Sequence, residues 1–184
     1  MSRTWSQTYF GRRFDIADPH PVWDLEEIAH ALSMKCRFGG HCTHFYSVAE
    51  HSVLVSQQCQ QEHRKWGLLH DAVETYIPDT PKPMKRHRAL EGLVSIEHKL
   101  MQQVSETWNL GPLPQQVKDI DYRILADERN ELMRADLNEL DDGWPSSKPL
   151  GVEIKCLSPL WAKAAFLTQA YELGLERHGT TSKT

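Results

Sequence analysis

The chain is short of the features that mark membrane, oxidised or nucleic-acid-coating proteins. Cysteine is scarce, four in 184 residues. Cys36, Cys42, Cys59 and Cys156 are too few and too scattered for a disulfide framework, so reduced thiols are expected. No apolar run approaches the roughly 20 residues of a membrane span. The opening MSRTWSQTYFGRR has no signal-peptide core. A cytoplasmic location and no membrane association are therefore expected. Excess positive charge is also missing: 21 Lys and Arg stand against 25 Asp and Glu, a formal net charge of −4. That balance disfavours a general nucleic-acid binder but leaves room for a small anion in a local basic pocket. A Gly-rich lysine loop of the Walker type is absent, which excludes the usual ATP-binding kinase architecture.

What remains is an ordinary globular composition, 40% hydrophobic and 25% charged, long enough for one domain with a sizeable core. No internal repeat or linker divides it, so residues 1–184 are read as a single domain. Its core spans about 24–176, with an N-terminal arm over 1–22 and a flexible tail over 177–184. The arm, with Gly11, Pro19 and Pro21, reads as a short β-hairpin or extended segment. Asp24 followed by Glu27 resembles a capping box opening a helix to about Ser33. Two apolar stripes over 45–59 predict a helix buried on most sides. A third helix is expected from about Glu62 to Tyr76. The segment IPDTPKP cannot be regular helix and reads as a shaped loop. A fourth helix carries Leu93, Ile96, Leu100 and Val104, and a long fifth carries Val117, Ile120, Ile124, Leu125, Leu132 and Met133. Residues 152–157 are ambiguous, and Leu160, Ala164, Leu167 and Tyr171 mark a last helix. The fold class is mainly α, a compact helical bundle.

Histidine is the one unusual count, at ten. Within Leu68-Leu69-His70-Asp71-Ala72-Val73-Glu74, polar residues interrupt an apolar stretch, and burying them is costly unless something pairs with them. His70 and Glu74 are four apart and Asp71 and Glu74 three apart, so Glu74 is expected to neighbour both on the helix surface. A divalent cation would offset the desolvation by accepting His70 and Asp71 as ligands, and other helices must supply the rest. His51 follows Val48-Ala49-Glu50 on a helix apolar on both sides. Asp121 lies on the inward stripe that continues to Ile124 and Leu125. Two imidazoles and two carboxylates form an N2O2 set suited to Mn²⁺, Co²⁺, Fe²⁺ or Zn²⁺.

The order His51, His70-Asp71, Asp121 resembles the H…HD…D signature of HD-domain phosphohydrolases. Val48-Ala49-Glu50-His51-Ser52, Leu69 to Glu74 and Pro78 to Lys85 are similar to stretches of bacterial 5′-deoxynucleotidases and phage dATP triphosphohydrolases. Gly11 to Phe14, Ala29 to Ser33 and Cys36 to His41 add to the likeness, which covers about residues 9–135. The resemblance implies an HD-domain fold, a divalent metal (Mn²⁺, Co²⁺, Zn²⁺, Fe²⁺ or Mg²⁺) and ligation by His51, His70, Asp71 and Asp121. It implies that Glu74 activates or orients the attacking water and that Asp79 assists proton transfer near the leaving oxygen. It gives Lys85 to phosphate, and Arg37 with Phe38 to phosphate contact and stacking on the nucleotide. Phe38 stands where the family has Trp, which keeps an aromatic platform and leaves base preference open.

The implied partner is a small deoxynucleotide, in a homo-oligomer, dimeric or larger. A 5′-deoxynucleotidase acting on dNMP is the leading expectation, and a dNTP triphosphohydrolase the alternative, with Arg12, Arg13, Lys82 and Arg86 as spare positive charge. A non-catalytic nucleotide-binding module ranks below both. No Gly-Tyr-Pro element of a cyclic-dinucleotide phosphodiesterase is present. Cys36, His41, Cys42 and His44 match no common zinc spacing, and Arg86 and Arg88 read as a solvated face.

Overall fold

Asp24 opens the first helix in the manner of an N-cap: its backbone is extended rather than helical, and its carboxylate accepts from the amides of Glu26 (2.9 Å) and Glu27 (3.4 Å). The reciprocal half of a capping box is missing. Glu27 is buried and turns to the N-terminal arm, accepting from the Phe10 amide (3.0 Å), Arg12 Nη2 (2.7 Å) and the Tyr76 hydroxyl (3.1 Å). The arm is the expected hairpin: β1 (Trp5–Gln7) pairs antiparallel with β2 (Arg13–Asp15), Trp5 opposite Asp15.

The computed structural model describes residues 5–134 and 147–178 and is mainly helical. The helices are α1 (Leu25–Met34), α2 (Val48–Gln58), α3 (Arg64–Leu69), α4 (Lys82–Lys85), α5 (Glu91–Trp108), α6 (Gln115–Leu132) and α7 (Pro159–Glu172). No described helix is long and apolar enough to cross a membrane.

Helix α2 is the hub. It packs against α1, α3, α6 and α7, and its residues from Val48 to Val53 are all buried, as the two apolar stripes predict. Ser47 caps it by accepting from the Glu50 amide (3.1 Å). One apolar cluster, including Trp23, Ile28, Leu32, Leu68, Leu100 and Phe166, lies on one side of α2. A smaller one, with Val55, Trp66, Val117, Ile120 and Ile124, lies toward α6. Each fully buried Leu, Ile or Phe side chain contributes about 1.5–3 kcal/mol. The irregular segment 152–157 is tied to α2 by the buried Glu50 carboxylate, which accepts from the amides of Lys155 (2.8 Å) and Leu157 (2.7 Å).

Four expectations are corrected. The helix expected over 62–76 stops at Leu69. The His70 ring Nδ1 donates to the Gly67 carbonyl (2.8 Å), the acceptor that the Asp71 amide would use in a continuing α-helix. The chain then turns and resumes as a 3₁₀ segment, Ala72–Thr75, closed by Glu74 N to Asp71 O (2.9 Å). Pro83 does enter a helix, in the first turn of α4, where its missing N–H costs nothing. On α7 the stripe Leu160, Ala164, Tyr171 faces solvent, with Leu160 73% and Tyr171 61% exposed. The inward face is Ala162, Phe166, Gln169 and Ala170. The start of the tail is anchored: Arg177 contacts the Asp24 carboxylate (3.1 Å), and its carbonyl accepts from the Leu25 amide (2.9 Å). Residues 179–184 lie outside the described residues.

The approach of α3 to α2 depends on Gly67. A Cβ there would lie 2.8 Å from the Ser56 Cα, a backbone atom that cannot move alone. Gly67→Ala is expected to cost about 1–3 kcal/mol by overpacking. The fall of several degrees in Tm is read by thermal unfolding; an unchanged Tm contradicts the close packing.

Candidate metal centre

Three elements deliver the candidate ligands. His51 comes from the first turns of α2, where it is wholly buried. His70 and Asp71 come from the turn that ends α3, and Asp121 from the second turn of α6. His51 Nε2 lies 3.3 Å from His70 Nε2, 3.3 Å from Asp121 Oδ1 and 3.7 Å from Asp71 Oδ2, and His70 Nε2 is 3.3 Å from Asp71 Oδ2. His51, His70 and Asp121 each offer a donor atom within 4.8 Å of the others, a grouping that could hold a metal ion. The four residues read from the sequence are therefore brought together. Both carboxylates keep some exposure, 20% and 17% of their side chains, so the cluster opens to solvent on their side.

The donor chemistry fits a divalent cation. His70 has its Nδ1 proton engaged by the Gly67 carbonyl, which leaves the Nε2 lone pair directed at the cluster. His51 has its Nδ1 against Glu128 Oε1 at 2.7 Å, so its Nε2 also faces inward. Burial and the charge of Arg37 oppose protonation of His51. Glu128 and Asp121 outweigh both and lift its pKa to about 9. In the metal-free site His51 is thus driven toward its charged form, and a metal ion taken up at its Nε2 would compete with a proton there.

Glu128 was not anticipated. It is completely buried on α6 and bridges His51 to Arg37, whose Nη2 is 3.0 Å from its second oxygen. These two partners hold its pKa below the ordinary carboxylate value despite burial. A signal existed: Glu128 lies seven residues after Asp121, two helical turns along the same face, and interrupts a stripe with Ile124 and Leu132. Lys35 was also missed. Its Nζ donates to the backbone carbonyls of Glu74 and Ile77 and pins the turn after Asp71.

The remaining expected residues surround this centre. Glu74 is buried and one of its oxygens, Oε2, has no hydrogen-bond partner; burial, with Asp71 and Asp79 nearby, pushes its pKa well above the usual range. It sits on the 3₁₀ turn after the break, not on a helix face shared with His70. Asp79 is half-buried, and burial together with Asp71 raises its pKa against the pull of Arg37 and His51. Arg37 is buried, places Nη1 3.6 Å from Asp71 Oδ2, and keeps Nε unpartnered. Phe38 follows it in a left-handed conformation (φ 56°) with its ring 5.4 Å from the guanidinium. Lys85 is paired with Glu97 at 2.7 Å and acts electrostatically on Glu74 and Asp71.

Arg12 and Arg13 are drawn elsewhere: Arg12 pairs with Glu27 at 2.7 Å, and Arg13 lies over the Trp5 ring at 4.6 Å. His41 and His44 are exposed, while Cys36 and Cys42 approach to 3.5 Å between sulfurs. These four do not form a metal-holding group among the described residues.

A mainly helical domain with a converging His-His-Asp cluster is the class that fold and site define. No family model matches the chain. It is 43% identical over 124 residues to the uncharacterized protein YfdR of Escherichia coli, a match covering 66% of this chain and 65% of that relative. It is 29% identical over 191 aligned positions to an uncharacterized protein of Rhodobacter capsulatus, covering 94% of this chain and 97% of that one.

Because Glu128 fixes the tautomer and orientation of His51, Glu128→Gln is expected to weaken Mn²⁺ or Co²⁺ binding by about 10–100-fold. Calorimetric titration of metal-stripped protein measures this. Running it in buffers of different ionisation enthalpy should also reveal protons released by the wild type at pH 7.5. Equal affinities for the two proteins would contradict the positioning role.

Proposed function

We infer that this chain is a metal-dependent phosphohydrolase of small deoxyribonucleotides, most simply a 5′-deoxynucleotidase that converts dNMP to deoxynucleoside and phosphate. The carrying observation is the convergence of His51, His70, Asp71 and Asp121 from three separate elements beside the buried, half-unpartnered Glu74 carboxyl. The same residues underlie the resemblance to HD-domain phosphohydrolases, and that family assignment belongs to this proposal.

His51, His70, Asp71 and Asp121 would hold the divalent ion. When bound, such an ion polarises a phosphoryl oxygen and favours ionisation of water near neutral pH. Glu74, whose carboxyl is held neutral by burial in the metal-free site, would take the proton of the attacking water once a cation bound beside Asp71 offsets the negative charge that favours its neutral form. Asp79 has a raised pKa, which suits a group that gives a proton to the leaving 5′ oxygen. Lys85 and Arg37 bring positive charge to the oxygens that gain negative charge as the bond breaks. Phosphate monoester hydrolysis is among the slowest uncatalysed reactions, so this much preorganised charge is required.

The dNTP triphosphohydrolase reading is the second. The placement of Arg12 on Glu27 and of Arg13 on Trp5 removes two cations that it would draw on. A cytoplasmic, homo-oligomeric enzyme is part of the same proposal.

Metal-stripped protein reloaded with Mn²⁺ or Co²⁺ and offered dNMPs and dNTPs tests the reading. Orthophosphate from dNMP, absent without metal and lost by at least 1000-fold in Asp71→Ala, is the expected result, an order of magnitude in keeping with removal of a group central to catalysis. Intact triphosphate from dNTP favours the second reading, and undiminished turnover in Asp71→Ala overturns the mechanism.

A further inference from the structure

The loop before α2 that carries Arg37 and Phe38 has a thiol at each end of its turn. Cys36 and Cys42 are free and half-buried, and their sulfurs touch at 3.5 Å. The Cys42 thiol donates to the His44 carbonyl (2.9 Å), which fixes its position. Backbone bonds close the neck beside them: the Arg37 amide donates to the Tyr46 carbonyl (2.9 Å) and the Val48 amide to the Lys35 carbonyl (3.0 Å). The Thr43 amide ties the far side to α6 through the Leu132 carbonyl (2.9 Å). A loop held at both ends keeps its two thiols together, so one of them outcompetes any thiol in solution for a mixed disulfide formed on the other.

Between the two thiols the backbone is strained. Phe38, Gly39 and Gly40 have φ of 56°, 60° and 83°, and at Phe38 a side chain occupies a region that favours glycine. A disulfide brings its sulfurs to about 2 Å, so closure shortens the chord across residues 37–41. Arg37 is anchored on Glu128 at 3.0 Å, and the shift therefore falls on Phe38 and the glycines. The other cysteines lie outside this loop. Cys59 is buried, and Cys156, half-buried in the segment tied down by Glu50, is near enough to feel the charge of Cys36 and is the rival partner.

We propose that Cys36 and Cys42 form a reversible disulfide by exchange with a low-molecular-weight disulfide, and that this bond moves Phe38 and weakens nucleotide binding at the centre. Burial and the Cys36 thiol push the Cys42 pKa up to about 11, so the first attack falls to Cys36. With glutathione disulfide, the Cys36 thiolate attacks one sulfur and releases the other as a glutathione thiolate. Cys42 then attacks the Cys36 sulfur of the mixed disulfide, gives its proton to the released thiolate, and expels the second glutathione. Two cysteine thiols are oxidised and one glutathione disulfide is reduced to two thiols. The disulfide stands apart from the phosphohydrolase reading; its effect on nucleotide binding rests on it.

The full chain, reduced and then equilibrated over a series of ratios of glutathione to its disulfide, is alkylated, digested without reductant and mapped by mass spectrometry. A Cys36–Cys42 cross-link that reduced glutathione reverses, with Cys59 and Cys156 alkylated, is expected. Pairing through Cys156, a lasting glutathione adduct on Cys36 or Cys42, or four free thiols at the most oxidising ratio overturns the proposal. Amide exchange over residues 38–44 should slow by about fivefold or more on cross-linking. It should not respond to oxidant in Cys42→Ser, whose hydroxyl keeps a donor for the His44 carbonyl; equal exchange in the two wild-type forms contradicts the movement of the loop. With Mn²⁺ present, cross-linking is expected to raise the KM for dAMP by about threefold or more and to leave kcat little changed. An unchanged KM in the cross-linked protein removes the effect on binding. If neither form hydrolyses dAMP, the phosphohydrolase reading fails, and the cross-link map with the exchange over 38–44 still decides the disulfide.

Discussion

Glu128, a carboxylate wholly removed from solvent, sits between an imidazole and a guanidinium, and the geometry of the centre follows from that placement. A buried anion is tolerated only when opposite charge and hydrogen bonds surround it, and removing one partner of such a group typically costs about 3–5 kcal/mol. Here the compensation comes from two different parts of the chain. His51 belongs to α2 and Arg37 to the turn before it, so a single oxygen pair on α6 sets both the ring that faces the cluster and the cation beside Asp71. Orientation of the site is therefore a by-product of satisfying one buried charge.

The surrounding charges do not balance without help. Asp71, Glu74, Asp79, Asp121 and Glu128 crowd a small volume against Arg37, Lys35 and Lys85. The imbalance is visible as opposite movements of the titratable groups: the Glu74 and Asp79 carboxyls are driven toward their neutral forms, while His51 is driven toward its charged one. Each movement lowers the negative charge of the cluster. A divalent cation would do the same work at a single point, and the lone pair of His70, kept inward by the Gly67 carbonyl, is already shaped to meet one.

Much of this was legible from residue pattern. Buried polar residues on apolar stripes mark His51, His70 and Asp121 because a stripe records which side of a helix faces the interior. The long helices α5 and α6 and the two-sided burial of α2 follow from the same periodicity. Glu128 carried that signal too, but its role depends on a contact with His51, 77 residues away, that no local pattern encodes. The break after Leu69 was hidden for a similar reason: the apolar spacing runs on through Val73, while the backbone leaves α geometry at Asp71 (φ −106°, ψ 12°), after the His70 ring has bonded the Gly67 carbonyl. On α7 the apolar residues surround most of the helix, so periodicity alone did not choose between Phe166 and Leu160 as the inward face. Lys35 had no signature, since both of its partners are backbone carbonyls.

The strap formed by Glu50 on residues 155–157 carries a consequence for how the molecule can be divided. Glu50 immediately precedes His51, and α7, which follows the strap, lies against both α1 and α2. The last segment of the chain is thus the back wall of the helix that presents the first histidine. A fragment ending at residue 134 would retain all four candidate ligands in its covalent sequence and yet expose the rear of α2, with two carboxylate oxygens stripped of their amide donors. The integrity of the candidate centre consequently depends on residues that never touch it, and the smallest autonomous unit must extend through α7.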